Sequence, residues 1–437
     1  MTTLATLPGP RTPGFVNTLE YAFLPRSFTL RHNKKYGRAY RVPALQGDAI
    51  FTSDPEHVRR IFAADSDTFR VLAATSLRAL FGRHSVLLTS GPTHKRQRKL
   101  LAPPLHGARL RAFATTMQQL ADRQVATLTR GQRFRALDLT TAFTLDVIVQ
   151  TVFGVTAEAE AHELRELLKS VIDDTPPSAL FAPALQQPWY PPWARYLRAR
   201  ARFDRWLDEK IATRRRLAQP GEDVLSVLLT AQFDDGTQMD DEEVQHQLIT
   251  LLLAGHETTA IALASCMSRL SRHPEVRAKL EQELDGVPPG EDVLRLPYLS
   301  AVINETLRID PIVSDVARIP NADFVLDTNL TVTPDQLLIV LIEGIHLDPT
   351  LYPSPLSFRP ERFLERKYAA HEFVPFGGGV RRCIGAAFSD METKIMLATL
   401  VRKTSLALQD ERPERRVRRN ITMGPQHGVP MTVQQLR

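Results

Sequence analysis

The spacing of apolar residues along the chain predicts a mostly helical protein. Apolar positions recur every three or four residues, with charged residues between them, at 109–129, 159–171, 200–218, 222–232 and 297–309. The longest such stretch, 240–272, opens with the acidic run DDEE and ends before Pro274. Acidic residues favour a helix N-terminus because they interact well with the helix dipole. A further helix is predicted over 384–402.

Short strands are predicted mainly in the C-terminal half. The strand-like segments are AIFT (49–52), ADFVLD (322–327), LTVT (330–333) and LLIVLIEG (337–344). The first of them runs into Ser53, Asp54 and Pro55, a typical helix start. Because strands and helices do not alternate, a doubly wound α/β fold is excluded. The pattern predicts a mainly α protein with a smaller β portion, in the α+β class.

Two segments break this pattern. Residues 1–20 contain the run PGPRTP and are predicted to form an irregular N-terminal arm. Residues 173–193 are rich in proline and cannot form one continuous helix. Because this second segment also carries large apolar side chains, it is either a structural connector that packs its own side chains or a mobile lid over a pocket.

Charge and cysteine content narrow the class of protein. The net charge is +6, from 55 basic and 49 acidic residues, and the basic runs 94–99 and 411–419 are predicted to be solvated faces. We therefore expect no nucleic-acid partner. Two cysteines exclude a disulfide framework and an iron–sulfur cluster. His256 and Glu257 interrupt the most apolar long window, and no signal-peptide pattern is visible, so we expect a cytoplasmic protein without a membrane anchor.

The stretch PFGGGVRRCIG (375–385) places Cys383 on a glycine-rich loop before a predicted helix. Backbone N–H groups at a helix start, together with Arg381 and Arg382, favour a thiolate there. Such a thiolate is either a nucleophile, for which His371 is the nearby candidate base, or a metal ligand. A lone cysteine ligand suggests a metal held mostly by something else, and heme iron is the obvious case.

Residues 376–385 match the F-x-x-G-x-R-x-C-x-G signature, which resembles the cytochrome P-450 family. Phe376, Gly379, Arg381, Cys383 and Gly385 fill its fixed positions. The resemblance implies a single cytochrome P-450 domain over 1–437. It implies heme b between a long distal helix and the cysteine-bearing proximal loop and helix. Cys383 would be the axial ligand of the iron, and the implied heme contacts on this loop are Phe376, Gly377, Arg381 and Gly385.

Other motifs of the family appear in the same order. AGHETT (254–259) resembles the distal-helix motif, which implies heme contacts at Ala254 and Gly255 and a proton-relaying pair in Glu257 and Thr258. HKRQR (94–98) and the later Arg318 resemble the elements that hold the heme propionates, with His94 and Arg98 as the contacts. ETLR (305–308) and FRPERF (358–363) resemble a structural set, assigned here to Glu305, Arg308 and Arg362.

The resemblance also suggests where a substrate lies. The implied contacts are mostly apolar: Leu72, Leu77, Leu87, Phe181, Leu251, Ile312, Val313 and Met423. A lipophilic substrate such as a terpenoid, steroid or fatty acid fits a pocket of that kind. Arg70 or Arg78 is either an anchor for a carboxylate or a solvent-facing charge.

The implied activity is that of a monooxygenase, which inserts one atom of O2 into a C–H or C=C bond. Electrons would come from a separate ferredoxin or flavodoxin with its reductase, docked near Arg382, Lys95, Arg96 and Lys99. We expect a monomer. The alternatives are a peroxide-using or non-oxidative heme–thiolate enzyme, which Glu257 and Thr258 disfavour, and a non-catalytic heme sensor or carrier.

Overall fold

The computed structural model describes residues 7–45, 47–72, 74–176, 183–217, 221–419 and 421–437. Its α-helices are α1 Gly14–Phe23, α2 Pro25–Tyr36, α3 Pro55–Ala63, α4 Ala74–Phe81, α5 Gly91–Leu101, α6 Gly107–Ala112, α7 Ala114–Ala126, α8 Ala136–Thr151, α9 Glu158–Asp173, α10 Pro191–Arg215, α11 Val224–Thr230, α12 Asp241–Arg272, α13 Pro274–Leu284, α14 Pro297–Ile309, α15 Ile342–His346, α16 Arg362–Glu365 and α17 Ala386–Lys403. Its strands are β1 Ala39–Ala44, β2 Gly47–Thr52, β3 Phe69–Arg70, β4 Arg133–Arg135, β5 Asp315–Pro320, β6 Phe324–Asp327, β7 Leu330–Val332, β8 Leu337–Leu341, β9 Thr404–Leu408, β10 Arg416–Arg419, β11 Thr422–Pro425 and β12 Pro430–Leu436.

Helix α12 is the central element of the helical part. A capping box starts it, in which the Asp240 side chain accepts from the Glu243 amide and the Glu243 side chain accepts from the Asp240 amide. The helix packs against α8 and α17, and its apolar residues belong to the main core cluster. By length and composition α12 is apolar enough to cross a membrane, but 67% of its most apolar window is buried inside the protein. Burial in the core accounts for that apolar character.

The strands form several small sheets. In the described residues, β1, β2, β8, β5 and β3 form one mixed sheet in that order, with β2 and β8 parallel. As predicted, Asp54 caps the helix after β2, because its carboxylate accepts from the Glu56 and His57 amides. β9, β12 and β4 form a second sheet, and β10 with β11 forms a hairpin. The mainly α, α+β class is confirmed.

Several predicted boundaries are wrong. The irregular arm does not extend to residue 20, because α1 occupies Gly14–Phe23 and the Asn17 side chain fixes it by donating to the Pro43 carbonyl at 2.9 Å. The predicted helix at 200–218 begins earlier, at Pro191, since proline is tolerated in a first helical turn. The strand predicted over 337–344 ends at Leu341, where α15 begins.

The second basic run, 411–419, is a solvated face only in its first part, because residues 411–413 and 415 are exposed whereas residues 416–419 are half-buried. Residues 416–419 form strand β10, and two of its arginines are paired with carboxylates inside the fold. Residues 177–182 of the proline-rich segment, among them Phe181, lie outside the described residues, so the connector and the lid both stay open as predictions.

Candidate functional site

The Cys383 thiol lies on an irregular loop three residues before α17. Its amide donates to the Phe376 carbonyl at 2.9 Å, which closes the loop. The side chain is exposed. The surrounding protein still desolvates it and raises the pKa of the thiol, whereas the Gly385 amide and the guanidinium groups of Arg382 and Arg98 lower that pKa. The backbone donor to the sulfur is therefore the Gly385 amide, at the start of α17.

The glycines of this loop serve a close approach to α3. Gly379 has φ +62°, and a Cβ atom there would lie 1.6 Å from the Phe62 carbonyl oxygen. A Cβ on Gly378 would lie 2.3 Å from the Phe62 ring. Steric contact with Phe62 explains why positions 378 and 379 carry no side chain.

Four cationic or titratable groups predicted to bind heme lie close together beside the cysteine loop. They are His94, Arg98, Arg318 and Arg381. Within the described part of the chain, none of the four forms an ion pair with a carboxylate. Burial and the charge of Arg381 lower the pKa of Arg318 to about 10. Burial, with Arg381 and Arg98, lowers the pKa of His94 to about 4.

The hydrogen bonds of these groups leave much of their donor capacity free. Arg381 donates to the Ser66 and Thr89 carbonyls at 3.3 and 2.7 Å. Arg98 donates to the Arg382 carbonyl at 2.5 Å, and Arg318 to the carbonyl of its neighbour Ala317. His94 is 2% exposed, and its Nδ1 has no hydrogen-bond partner in the described residues. Three half-buried arginines close together without a counter-charge are unfavourable by themselves, so they indicate a site for an anionic group.

Helix α12 carries Glu257 and Thr258. Burial raises the pKa of Glu257, and the charge of Arg419 opposes that shift. The Thr258 hydroxyl donates to the Ala254 carbonyl at 2.8 Å. α12 is continuous through Gly255, where a Cβ atom would meet only the Ile148 side chain at 3.4 Å. Contacts within the protein therefore do not require glycine at this position.

The predicted structural set forms a buried ion triad. The Glu305 carboxylate accepts from Arg308 Nε at 2.7 Å and from Arg362 Nε at 3.0 Å. It also accepts from the Arg359 amide at 2.9 Å. Glu305, Arg308 and Arg362 are 0 to 2% exposed. The triad joins α14 to the segment before α17, which carries the cysteine loop.

The predicted substrate contacts fall in two groups, one on α12 and around residues 312 and 423, the other within residues 72–87. Leu251 is half-buried on α12, while Ile312 and Met423 are linked by a 2.7 Å hydrogen bond from the Met423 amide to the Ile312 carbonyl. Val313 lies beside Ile312 and is half-buried. Leu72 and Leu77 are also half-buried, and Leu87 is 41% exposed. Arg78 is exposed, and Arg70 donates to the Pro334 carbonyl at 2.7 Å. Neither observation supports a role as the anchor for a substrate carboxylate.

Two groups near α12 were missed by the sequence analysis. Arg419, on β10, acts electrostatically on Glu257. Glu392, on α17, is 2% exposed, and burial raises its pKa well above the usual carboxyl range, while a hydrogen bond with Thr259 opposes that shift. Neither belongs to a local motif, and the basic run around Arg419 was interpreted as solvated, so no sequence signal singled them out.

The comparison with known proteins identifies the family. A family model described as "Cytochrome P450" matches residues 7–430. This chain belongs to the cytochrome P450 family. A protein named "Putative cytochrome P450 138" from Mycobacterium bovis is 32% identical over 427 residues, covering 96% of this chain and 94% of that protein. "Putative cytochrome P450 135A1" from Mycobacterium tuberculosis is 32% identical over 433 residues, covering 97% of this chain and 94% of that protein.

Solved P450 structures share the fold. The retinoic acid-bound cyanobacterial CYP120A1 superposes with a TM-score of 0.85 at 24% identity and covers 96% of both chains. The heme domain of cytochrome P450DA superposes with a TM-score of 0.85 at 24% identity, covering 98% of this chain and 97% of that chain. The P450 fold and the enzyme class, a heme-dependent monooxygenase, follow from the family.

The side chains present fit heme. P450 enzymes hold its iron through a cysteine thiolate. Cys383 is exposed, whereas Cys266 is fully buried in α12, where burial raises its pKa to about 12. The uncompensated cluster of three arginines and His94 matches the two propionate carboxylates that heme carries.

Proposed function

We propose that this P450 oxidises a lipophilic small molecule at a heme whose iron is bound by Cys383. The observation that supports the assignment is the position of the exposed thiol beside half-buried arginines that have no carboxylate partner in the described residues. Bound there, heme supplies reductive activation of O2 at its thiolate-ligated iron. Arg98, Arg318, Arg381 and His94 would bind the propionates by charge-assisted hydrogen bonds.

Glu257 and Thr258 are proposed to move protons towards the site. Burial raises the pKa of Glu257, so this pKa lies closer to neutral pH than that of an ordinary carboxyl group. The Thr258 hydroxyl donates a hydrogen bond to the Ala254 carbonyl at 2.8 Å, and its oxygen can accept a second hydrogen bond at the same time. Gly255, Gly377 and Gly385 carry no side chain, so their backbone is free to lie against the heme.

The substrate is proposed to be lipophilic because the predicted contacts that the structure describes are aliphatic side chains. Ile312 and Met423 are brought together by their backbone hydrogen bond, and Leu251 lies on the adjacent helix α12. Such a surface binds an apolar body by burial and leaves few polar groups to set its orientation. Terpenoids, steroids and fatty acids have bodies of this kind.

A separate ferredoxin or flavodoxin is the proposed electron donor, and the surface beside Cys383 is its proposed docking site. Arg382 is exposed and, among the described residues, has no ion pair. Lys95, Arg96 and Lys99 are paired with Asp65, Asp235 and Asp234. Their charge is thus partly neutralised, and Arg382 is the better candidate for contact with an acidic carrier.

We place the enzyme in the cytoplasm as a monomer of one domain.

The ligand assignment is tested by absorption spectroscopy of the dithionite-reduced protein under carbon monoxide. Wild type is expected to show the strongly red-shifted Soret band of a heme–thiolate complex. Cys383→Ala should abolish that band, and Cys266→Ala, which alters the other cysteine, should keep it. An unchanged band in Cys383→Ala would overturn the assignment. With the band established, product formation driven by peroxide but not by reduced ferredoxin would favour the peroxide-using class, and absence of any turnover would favour a sensor or carrier.

A further inference from the structure

Strand β10 carries three arginines, and only two of them have an acidic partner in the described residues. Arg416 lies 3.3 Å from a carboxylate oxygen of Asp310, and Arg418 lies 3.1 Å from one of Asp315. Arg419 forms no ion pair there. Its Nε is buried without a hydrogen-bond partner in the described residues, and its guanidinium group donates one long hydrogen bond there, of 3.4 Å, to the Pro425 carbonyl.

Arg419 is half-buried and lies close to the central helix α12. A Cβ atom built on Gly424 would lie 3.2 Å from Arg419 Cδ and 3.3 Å from the Ile261 side chain, so these two side chains meet at that glycine. Ile261 is on α12, one turn beyond Glu257. Gly424 follows Met423, whose amide is bonded to the Ile312 carbonyl. The Arg419 side chain thus lies beside Gly424, the chain neighbour of the proposed substrate contact Met423.

Glu257 does not neutralise Arg419. Their interaction lowers the pKa of Glu257, but burial outweighs it and the pKa of that carboxyl stays raised. The two groups form no ion pair within 4.0 Å in the described structure. Arg419 therefore keeps a forked set of donors that a planar carboxylate can bind in two places.

We propose that Arg419 binds a carboxylate on the substrate, so that the natural substrate is an apolar acid held by its charged end. This inference rests on the function proposed above. Burial of the apolar body against Ile312 and Met423 would supply much of the affinity, and the ion pair would fix which part of the body faces the heme. Arg70 and Arg78, the sequence-based candidates for such an anchor, are not needed for it.

The test compares acids with their methyl esters. The probes are a panel of apolar carboxylic acids with 10 to 20 carbon atoms, straight-chain and cyclic, each with its methyl ester. Dissociation constants are measured by titration calorimetry on the heme-loaded protein, after the carbon monoxide spectrum of each variant has been recorded. The variants are Arg419→Gln, Arg419→Lys and, as a control, Arg415→Gln. Arg415 is an exposed arginine just before the same strand, and it donates to the Phe23 carbonyl.

In wild type, at least one acid is expected to bind about tenfold or more tightly than its ester, as a charge-assisted bond predicts. Arg419→Gln should weaken that acid by about tenfold or more and leave its ester within about twofold, Arg419→Lys should retain part of the preference, and Arg415→Gln all of it. The inference is overturned if no acid outbinds its ester, or if Arg419→Gln weakens both equally while the spectrum is intact. Failure of the proposed function would appear separately, as loss of the heme–thiolate spectrum in wild type.

Discussion

Replacing Glu305 by glutamine removes one charge from the buried triad while hardly changing its shape. Oε1 of Glu305 accepts from Arg308 Nη2, Arg362 Nε and the Arg359 amide, at 2.8, 3.0 and 2.9 Å. Oε2 accepts from Arg308 Nε at 2.7 Å. A glutamine whose oxygen takes the place of Oε1 keeps three of these bonds, but its NH2 group then faces Arg308 Nε–H, donor against donor.

The larger effect is electrostatic. Arg308 and Arg362 have side chains 0% and 2% exposed, and Glu305 is the acidic partner that joins both of them. Removing one partner of a buried ion pair costs about 3–5 kcal/mol, because the remaining charge stays desolvated without compensation. We therefore expect Glu305→Gln to lower the free energy of unfolding by about that amount. With an m-value of about 3 kcal/mol per molar, the urea midpoint would fall by roughly 1 M or more.

The measurement is urea unfolding of the heme-loaded protein, followed by far-UV circular dichroism. Glu365→Gln serves as the control, since Glu365 pairs with Arg359 at 2.7 Å on the surface, where both side chains are more than half exposed. A pair of this kind contributes about 0–1 kcal/mol, so the control midpoint should hardly move. If Glu305→Gln and Glu365→Gln shifted the midpoint equally, the argument from burial would be refuted.

Three further predictions follow from single contacts. Gly379→Ala should fail to retain heme at wild-type occupancy, measured as Soret absorbance per protein, because the new Cβ would overlap the Phe62 carbonyl oxygen at 1.6 Å; normal occupancy would contradict the close approach. Burial raises the pKa of Glu392, so the wild-type protein should lose stability as the pH rises from the usual carboxyl pKa through the raised one. Glu392→Gln should lose less stability over the same range, measured as melting temperature between pH 6 and 9. Parallel curves of melting temperature against pH would exclude a raised pKa. Burial alone would raise the pKa of Asp310, but Arg269, Arg416 and Arg26 lower it to about 2. The contribution of Asp310 to the free energy of unfolding is therefore present above the ordinary carboxyl pKa and lost as the pH falls towards about 2. Asp310→Asn should be less stable than wild type at pH 7 and lose less stability in acid, and an unchanged dependence of stability on acid pH would refute this.

The spacing of residues along the chain was enough to predict the helices and the motif residues. The acidic opening and apolar run of 240–272 correspond to α12, Asp241–Arg272, because a helix of this kind depends on neighbours three and four positions apart and on its own cap. The prediction for 297–309 matches α14 for the same reason. Short strands were harder, because β3 and β5 are stabilised by partners far away in the chain and have no periodicity long enough to detect.

What the amino-acid sequence determined by itself was therefore the helical framework, the α+β class and, through residues near one another in the chain, the resemblance that the family match confirmed. Tertiary structure alone decided which charges are compensated. Arg416, Arg418 and Arg419 are near-identical in sequence context, yet Asp310 and Asp315 reach only the first two. Likewise, Arg98, Arg318 and Arg381 come from three separate segments. The Coulomb energy of such groups depends on distance and burial, which the fold sets and no local pattern records.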